Sequence, residues 1–231
     1  MEETLDNARF ISYHRNQINP ELLPESTLTF AYGDLKYEKL SRELSGTDSI
    51  LRTKVLIEVN EDFHQADKLN FALESDILKQ LVRCFTERQD IIRELASHAV
   101  LKVASTERGR EILVQQGIIR DVRRLFDDEV VRIRHNAYAC LINLGQFTYG
   151  VDSVIEFEIV PVLVDKLILE KEQEILILIL QLMKILAEGE KAPDILLATP
   201  VLARLNTHLA SKNAEIRELA ALNLGSISYN V

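Results

Sequence analysis

The chain has 231 residues, a formal net charge of −9 and a hydrophobic content of 47%, with no tryptophan, eight glycines and five prolines. The acidic balance argues against a primary nucleic-acid role, because phosphate binding needs a basic surface. No apolar run is long enough to cross a membrane, and the acidic N-terminus, MEETLDNARF, lacks the apolar segment of a secretory signal. Cys84 and Cys140 are interpreted as buried thiols of an intracellular protein.

Residues 1–34 form an N-terminal arm that does not fit the pattern of the rest of the chain. The pairs Asn19-Pro20 and Leu23-Pro24 disfavour a long helix here. Two interpretations stay open, a disordered tail or an ordered arm that lies along the first repeat. The ordered arm is suggested by an apolar set that a disordered tail seldom carries: Phe10, Ile11, Tyr13, Leu22, Leu23, Phe30 and Tyr32.

From residue 35 onward, apolar positions recur in register about every 41 residues. One such column is Leu44, Phe85, Phe126, Leu167 and Leu209, and another, eight residues later, is Arg52, Arg93, Arg134, Ile175 and Arg217. A fixed period of this length predicts an all-α, right-handed solenoid of the armadillo/HEAT type with about five repeats. The arginine column is interpreted as structural, bonding helix-end carbonyls or acidic neighbours between repeats.

The solenoid is predicted to cover residues 35–231. Its third repeat shows the unit most clearly, because Gly117 ends one helix and Asp127, Asp128 and Glu129 stand near the start of the last helix, where carboxylates suit the free N–H groups. The predicted repeats are about 35–75, 76–116, 117–158, 159–200 and 201–231.

No catalytic pattern is present in the sequence. It contains no Gly-rich phosphate loop, HExxH, CxxC or GxSxG motif. The five histidines have no metal-ligand spacing. We therefore predict no catalytic residues, no metal, no cofactor and no small-molecule substrate, and a function of binding by surface.

The predicted binding surface is the concave groove, which the last helix of each repeat lines in an armadillo array. Two rows of the repeat point away from the core face, and the first is largely apolar. These residues either pack partly against neighbouring helices or bind a partner helix or extended segment. The candidate groove residues are Ile57, His98, Lys102, Ala139, Asn143, Leu180, Lys184 and Leu222.

Two further surfaces are candidates. A basic cluster is either a solvated helix face or a docking patch for an acidic protein surface: Arg120, Arg123, Arg124, Arg132 and His135. Leu219, Leu222 and Ile227 leave the last helix without the polar outer face that a terminal repeat needs. That end either docks a partner, self-associates, or belongs to a shortened member of a longer family.

The segment from Gly117 to Leu144 looks like an armadillo unit, with its closing A-x-x-x-L-x-N-L pattern. The arm, with RFISY, INP and AYGDL ahead of KLSREL, resembles the opening of the armadillo-repeat radial-spoke proteins of motile cilia. The resemblance implies a non-catalytic scaffold of the ciliary or flagellar axoneme that binds other spoke proteins. A soluble cytosolic adaptor that binds linear peptides reversibly is the alternative. The nuclear-import adaptors of the armadillo class carry a ladder of Trp and Asn, and this sequence matches it only at Asn143.

Overall fold

The computed structural model describes residues 26–29, 31–33, 35–189 and 191–229. The described residues form a stack of five helical units, the first with two described helices and the others with three. Unit 1 contains α1 (Leu35–Leu44) and α2 (Ser49–Asp62), and unit 2 contains α3 (Ala66–Leu73), α4 (Ile77–Arg83) and α5 (Asp90–Ala104). Unit 3 contains α6 (Glu107–Gln115), α7 (Ile119–Arg123) and α8 (Val131–Gly145). Unit 4 contains α9 (Thr148–Glu156), α10 (Ile159–Leu169) and α11 (Gln173–Ala187), and unit 5 contains α12 (Ala192–Leu197), α13 (Val201–His208) and α14 (Ala214–Tyr229). Short 3₁₀ turns extend α4 over Cys84–Thr86 and α7 over Arg124–Asp127.

The long third helices pack against one another from unit to unit, so the core runs continuously along the stack. The repeated column predicted from the sequence lies in that core, because Leu44, Phe85, Phe126 and Leu167 are each at most 5% exposed. The predicted all-α solenoid is therefore confirmed.

Gly117 joins α6 to α7 in the left-handed conformation that was predicted, with φ of +65°. The N–H of Ile118 donates to the carbonyl of Leu113 at 3.0 Å, so the turn satisfies a carbonyl at the end of α6. One period later, Glu158 adopts the same conformation, with φ of +53°. A side chain with a Cβ is strained in this region, so unit 4 carries a local cost that unit 3 avoids.

The arginine column links consecutive units, as predicted. Arg93 Nε donates to Asp128 Oδ2 at 2.6 Å and its Nη2 donates to Oδ1 at 3.1 Å. Arg134 holds Glu170 in the same two-pronged way, at 3.0 and 3.1 Å. Arg52 Nη2 donates to Glu87 Oε1 at 2.7 Å. We call these contacts the arginine–carboxylate pairs.

Arg93 and Arg134 also hydrogen-bond to the turn of their own unit. Arg134 Nη1 donates to the carbonyl oxygens of Asp128 and Glu129, at 2.8 and 3.2 Å. Arg93 Nη1 makes the same contacts with the carbonyls of Glu87 and Arg88. One planar guanidinium therefore joins two units and closes a turn, because its five donors point in fixed directions.

The described part of the N-terminal arm contacts unit 1. Ser26 Oγ donates to Asp48 Oδ2 at 2.5 Å, and Lys54 Nζ donates to the carbonyl of Ser26 at 2.9 Å. Leu28 packs against the core, whereas Tyr32 is exposed. The remaining apolar residues of the predicted arm lie outside the described residues: Phe10, Ile11, Tyr13, Leu22, Leu23 and Phe30.

Candidate functional site: the concave groove

The third helices of units 2, 3 and 4 leave a depression of about 420 Å³ between them. It lies where α5, α8 and α11 run side by side, with residues from all three helices in its wall. Its lining mixes apolar, charged and imidazole groups, which suits a segment of protein better than a purely apolar ligand. The lining residues are Glu94, Leu95, His98, Val131, Arg132, His135, Asn136 and Glu174.

Acid–base pairs cross the depression from one unit to the next. Arg132 Nη1 lies 3.5 Å from Glu94 Oε1, and His135 Nε2 lies 3.8 Å from Glu174 Oε1. Both contacts are long, and the Arg132 and Glu174 side chains are 81% and 73% exposed. Exposed pairs of this kind contribute little to stability, so these charges are available to a partner.

His98 and Lys102 occupy the neighbouring stretch of α5. Burial lowers the pKa of the His98 imidazole below its usual value, and the charges of Lys102 and His64 act in the same direction. Lys102 Nζ donates to the carbonyl of Asn60 at 2.5 Å and lies 3.1 Å from His64 Nε2. Burial lowers the pKa of Lys102 too. Lys102 therefore bridges α5 to α2.

The structure places the predicted groove residues unequally. Ile57 and Leu222 are 45% and 43% exposed, at opposite ends of the stack. Leu180 must be removed from the predicted set, because its side chain is fully buried. α11 is apolar on more than one face, and the face that carries Leu180 turns into the core. The remaining members are partly buried: His98, Lys102, Ala139, Asn143 and Lys184.

Sequence reasoning missed the asparagines that tie the third helices together. Asn60 Nδ2 donates to the carbonyls of Leu56 and Leu95, each at 2.9 Å, and so crosses from α2 to α5. Asn223 Nδ2 makes the matching contacts from α14 to the carbonyls of Leu219 and Leu180. Asn136, in the floor of the depression, donates to Ser97 Oγ at 3.0 Å. The signal was weak, because Asn60 and Asn223 do not share one column of the repeat.

The predicted basic patch lies on two different surfaces. Arg132 and His135 are on α8 and line the groove. The other three belong to the α7 segment and its 3₁₀ turn: Arg120, Arg123 and Arg124. Arg120 stacks over the Phe157 ring at 5.2 Å, and Arg124 pairs with Asp121 at 3.3 Å. Arg120, Arg123 and Arg124 are therefore carried by a different element of unit 3 from Arg132 and His135.

The predicted terminal interface also needs correction. Ile227 is fully buried in the core, and Leu219 is partly buried against it, so only Leu222 of the three is exposed. The exposed large hydrophobic residues of unit 5 that the prediction missed are Leu202 and Leu209, each 40% exposed, and Tyr229, which is 90% exposed. Leu202 and Leu209 lie on or next to α13, and Tyr229 is the last residue of α14.

Solved structures with this architecture carry armadillo repeats. A computationally designed armadillo repeat protein for modular peptide recognition superimposes with a TM-score of 0.74 at 17% identity, over 84% of this chain and 87% of that one. A designed armadillo repeat protein in complex with the peptide (KR)4 gives 0.73 at 17% identity, over the same shares of the two chains. The chain folds as an armadillo-type solenoid.

Sequence comparisons add a similarity to a radial-spoke protein. No protein-family model matches the chain. Radial spoke protein 14 of Chlamydomonas reinhardtii is 24% identical over 142 residues, which are 61% of this chain and 37% of that protein. The chain thus matches little more than a third of the length of this relative. The similarity agrees in kind with the resemblance noted in the N-terminal arm.

The described residues contain no group of three or more His, Cys, Asp or Glu side chains placed to hold a metal ion. Within the same residues, no helix has the length and apolar content that a membrane span requires. Both cysteines are buried free thiols, and burial raises the pKa of Cys140 to about 12. A thiol with such a pKa is protonated near neutral pH and is inert as a nucleophile.

Proposed function

We propose that this chain is a non-catalytic scaffold of the ciliary or flagellar axoneme, a radial-spoke component that binds other spoke proteins through its groove and its terminal unit. The observation that carries this proposal is the groove depression, whose charged rim residues are exposed and held only by long contacts. The similarity to radial spoke protein 14 supports the axonemal location.

A scaffold of this kind works through rigidity. The core is continuous, and the arginine–carboxylate pairs fix each of the first three units to the next. A partner that binds across α5, α8 and α11 meets a surface that is already formed, so little ordering entropy opposes binding. The mixed lining allows specificity through charge and affinity through the apolar contacts of Leu95 and Val131.

The first experiment places the tagged chain in a ciliated cell and extracts isolated axonemes with detergent and then with salt. We expect the chain to stay with the axoneme through detergent and to leave together with radial-spoke proteins. Release with the soluble fraction in detergent would refute the axonemal proposal.

A pair of charge reversals tests whether the groove is the binding surface. Arg132→Glu puts a negative charge beside Glu94 at the exposed rim, so we expect it to weaken retention in the axoneme without unfolding the chain. Arg88→Glu changes the same charge at an exposed position in the turn before α5, outside the groove lining, and is the matched control. Equal retention of both variants and the unaltered chain would show that the partner binds elsewhere.

A reversible cytosolic peptide adaptor is the second candidate. The structural similarity to a designed armadillo protein in complex with (KR)4 favours it, since that protein binds a basic peptide. Glu94 and Glu174 would supply the negative charges for such a segment in this chain. A fluorescent (KR)4 peptide titrated against the chain tests it. The adaptor function predicts saturable binding that Glu94→Gln weakens and that falls with salt, whereas a chain that binds no peptide and stays in the axoneme is a scaffold.

A further inference from the structure

The outward face of unit 5 repeats surfaces that, in units 1 to 4, are covered by the next unit. Leu202 and Leu209 are each 40% exposed. Their equivalents in the four preceding units are at most 5% exposed: Tyr37, Leu78, Ile119 and Val160 for the first position, and Leu44, Phe85, Phe126 and Leu167 for the second. We call Leu202, Leu209 and Arg217 the terminal face. A terminal repeat that meets only water carries polar groups at such positions, and this one does not.

Arg217 lacks the contact with a carboxylate that Arg52, Arg93 and Arg134 make. Its Nη1 donates to the carbonyls of Ser211 and Lys212 at 2.8 and 3.0 Å, as Arg93 and Arg134 do within their own turns. In those two arginines, Nε and Nη2 hold a carboxylate of the next unit. Among the residues that the structure describes, no carboxylate lies on Nε or Nη2 of Arg217. The guanidinium is therefore held in place with its carboxylate-binding edge free.

The junction between units 4 and 5 shows that the arginine and its carboxylate occur together. Arg134 pairs with Glu170, 36 residues later. At the next step the arginine position is Ile175, and the residue 36 positions after it is Ser211. Both members of the pair are replaced at this junction. Arg217 restores the arginine at the face where the following unit would supply the carboxylate.

We propose that the terminal face binds a helical repeat of the armadillo type that carries an aspartate or glutamate on the turn before its last helix. This inference rests on the proposed scaffold function and names the partner of its terminal unit. A second copy of this chain fits poorly, because position 46, which would meet Arg217 in a head-to-tail pair, is a glycine. The nearby Asp48 stands two positions later, at the place that Gln89 and Val130 take in units 2 and 3, and it accepts from the N–H groups of Ile50 and Leu51.

The test extends the full chain with a copy of one of its own repeats. Residues 106–146 are added directly after Tyr229, so that the copy takes the place of Asn230 and Val231. This places the copied Asp128 35 positions after Arg217, the separation of the natural Arg93–Asp128 pair. Hydrogen exchange of α13 and α14 is then compared with and without the added repeat. We expect exchange in both helices to slow by about tenfold or more, because the repeat covers Leu202 and Leu209. Unchanged exchange would refute the proposal.

Two substitutions distinguish the contribution of the carboxylate from the contribution of burying apolar side chains. Asn in place of the copied Asp128 leaves residues 1–229 untouched, so it cannot unfold the natural chain, and we expect it to remove at least threefold of the protection. Arg217→Gln should speed hydrogen exchange of α13 and α14 more in the extended chain than in the natural chain. Equal effects in both chains would mean that Arg217 serves only its own turn, and the carboxylate requirement would be wrong.

Sedimentation of the natural chain tests whether a second copy of the chain covers the terminal face instead. We expect a monomer, for the natural chain and for Leu209→Glu alike. A dimer that Leu209→Glu dissociates would show that a second copy covers the face and would overturn the proposal. These outcomes are independent of axonemal retention: a failed extension leaves the groove scaffold intact, and a chain that washes out of axonemes still has a terminal face that accepts a repeat.

Discussion

Asp128→Asn isolates the charge of one arginine–carboxylate pair. The Asp128 carboxylate is 8% exposed and the Arg93 side chain 15% exposed, so the pair is largely shielded from water. Asn keeps the size of the residue and an oxygen that can accept the N–H of Val130, which Asp128 Oδ1 now accepts at 3.0 Å. The charge-assisted bonds to Arg93 are lost, and the arginine keeps fewer partners. Hydrogen bonds to charged groups contribute about 1.5–3 kcal/mol, so we expect the free energy of unfolding to fall by about that amount near pH 7.

The pH dependence of this loss gives a second measurement. Burial alone would raise the pKa of Asp128, but the hydrogen bonds from Arg93 and Val130 and the nearby positive charge lower it below its usual value. A carboxyl whose pKa is lower in the folded protein stabilises the fold above its unfolded pKa, and that contribution disappears as the pH falls through the folded pKa. We therefore expect the difference between Asp128→Asn and the unaltered chain to shrink progressively as the pH falls below about 4.

Urea unfolding followed by circular dichroism at several pH values measures both effects. Asp90→Asn is the control, because Asp90 pairs with the same arginine at 2.9 Å but is 67% exposed. An exposed pair contributes about 0–1 kcal/mol, so the control should lose far less. If Asp128→Asn costs no more than Asp90→Asn at pH 7, or if its cost is the same at low pH, the pair does not stabilise the junction in the way described.

Five other substitutions, at three kinds of site, have clear expected outcomes. Glu158→Gly should raise the free energy of unfolding by up to about 1 kcal/mol in urea titrations, because the left-handed conformation of Glu158 is strained, whereas Gly117→Ala should lower it by a similar amount. Leu180→Ala should lower the free energy of unfolding by about 2–5 kcal/mol, since the Leu180 side chain is fully buried, while Leu222→Ala should lower it by under about 1 kcal/mol. Equal losses for the two variants would mean that Leu180 is an exposed groove residue. Tyr138→Phe should leave the melting temperature unchanged or slightly raised, because the Tyr138 hydroxyl is buried without a hydrogen-bond partner.

The repeat period predicted the architecture because every unit must bury apolar residues at the same positions against the next unit. Phe126 and its equivalents must be covered by the next unit, so apolar residues recur wherever the chain returns to that position. The arginine column was predictable for the same reason, although the sequence could not show that one guanidinium both closes a turn and joins two units. Gly117 was predictable because its left-handed turn has a strong residue preference.

The groove was predicted less well, because a column aligns backbone positions but does not fix how far each helix is rotated. α11 carries apolar residues on more than one face, so both Leu180 and its neighbours satisfied the pattern, and packing decided which of them turned inward. The same ambiguity led to the prediction that Ile227 lies on the exposed face of α14, whereas its side chain is fully buried in the structure. Polar bridges such as Asn60 to Leu95 depend on that rotation and could not be read from the period.

The replacement of one arginine–carboxylate pair by Ile175 and Ser211 makes the junction between units 4 and 5 chemically different from the three before it. The polar links that remain between units 4 and 5 include Arg204 to Asp165 at 2.6 Å, where the aspartate is 63% exposed. Salt weakens the interaction of exposed charges over distances of about 8 Å at physiological ionic strength, and it acts much less on shielded pairs such as Arg134 and Glu170. Added salt therefore weakens the Arg204–Asp165 contact more than it weakens the shielded pairs of the earlier junctions, and the junction between units 4 and 5 depends more on apolar contacts such as those of the fully buried Ile175.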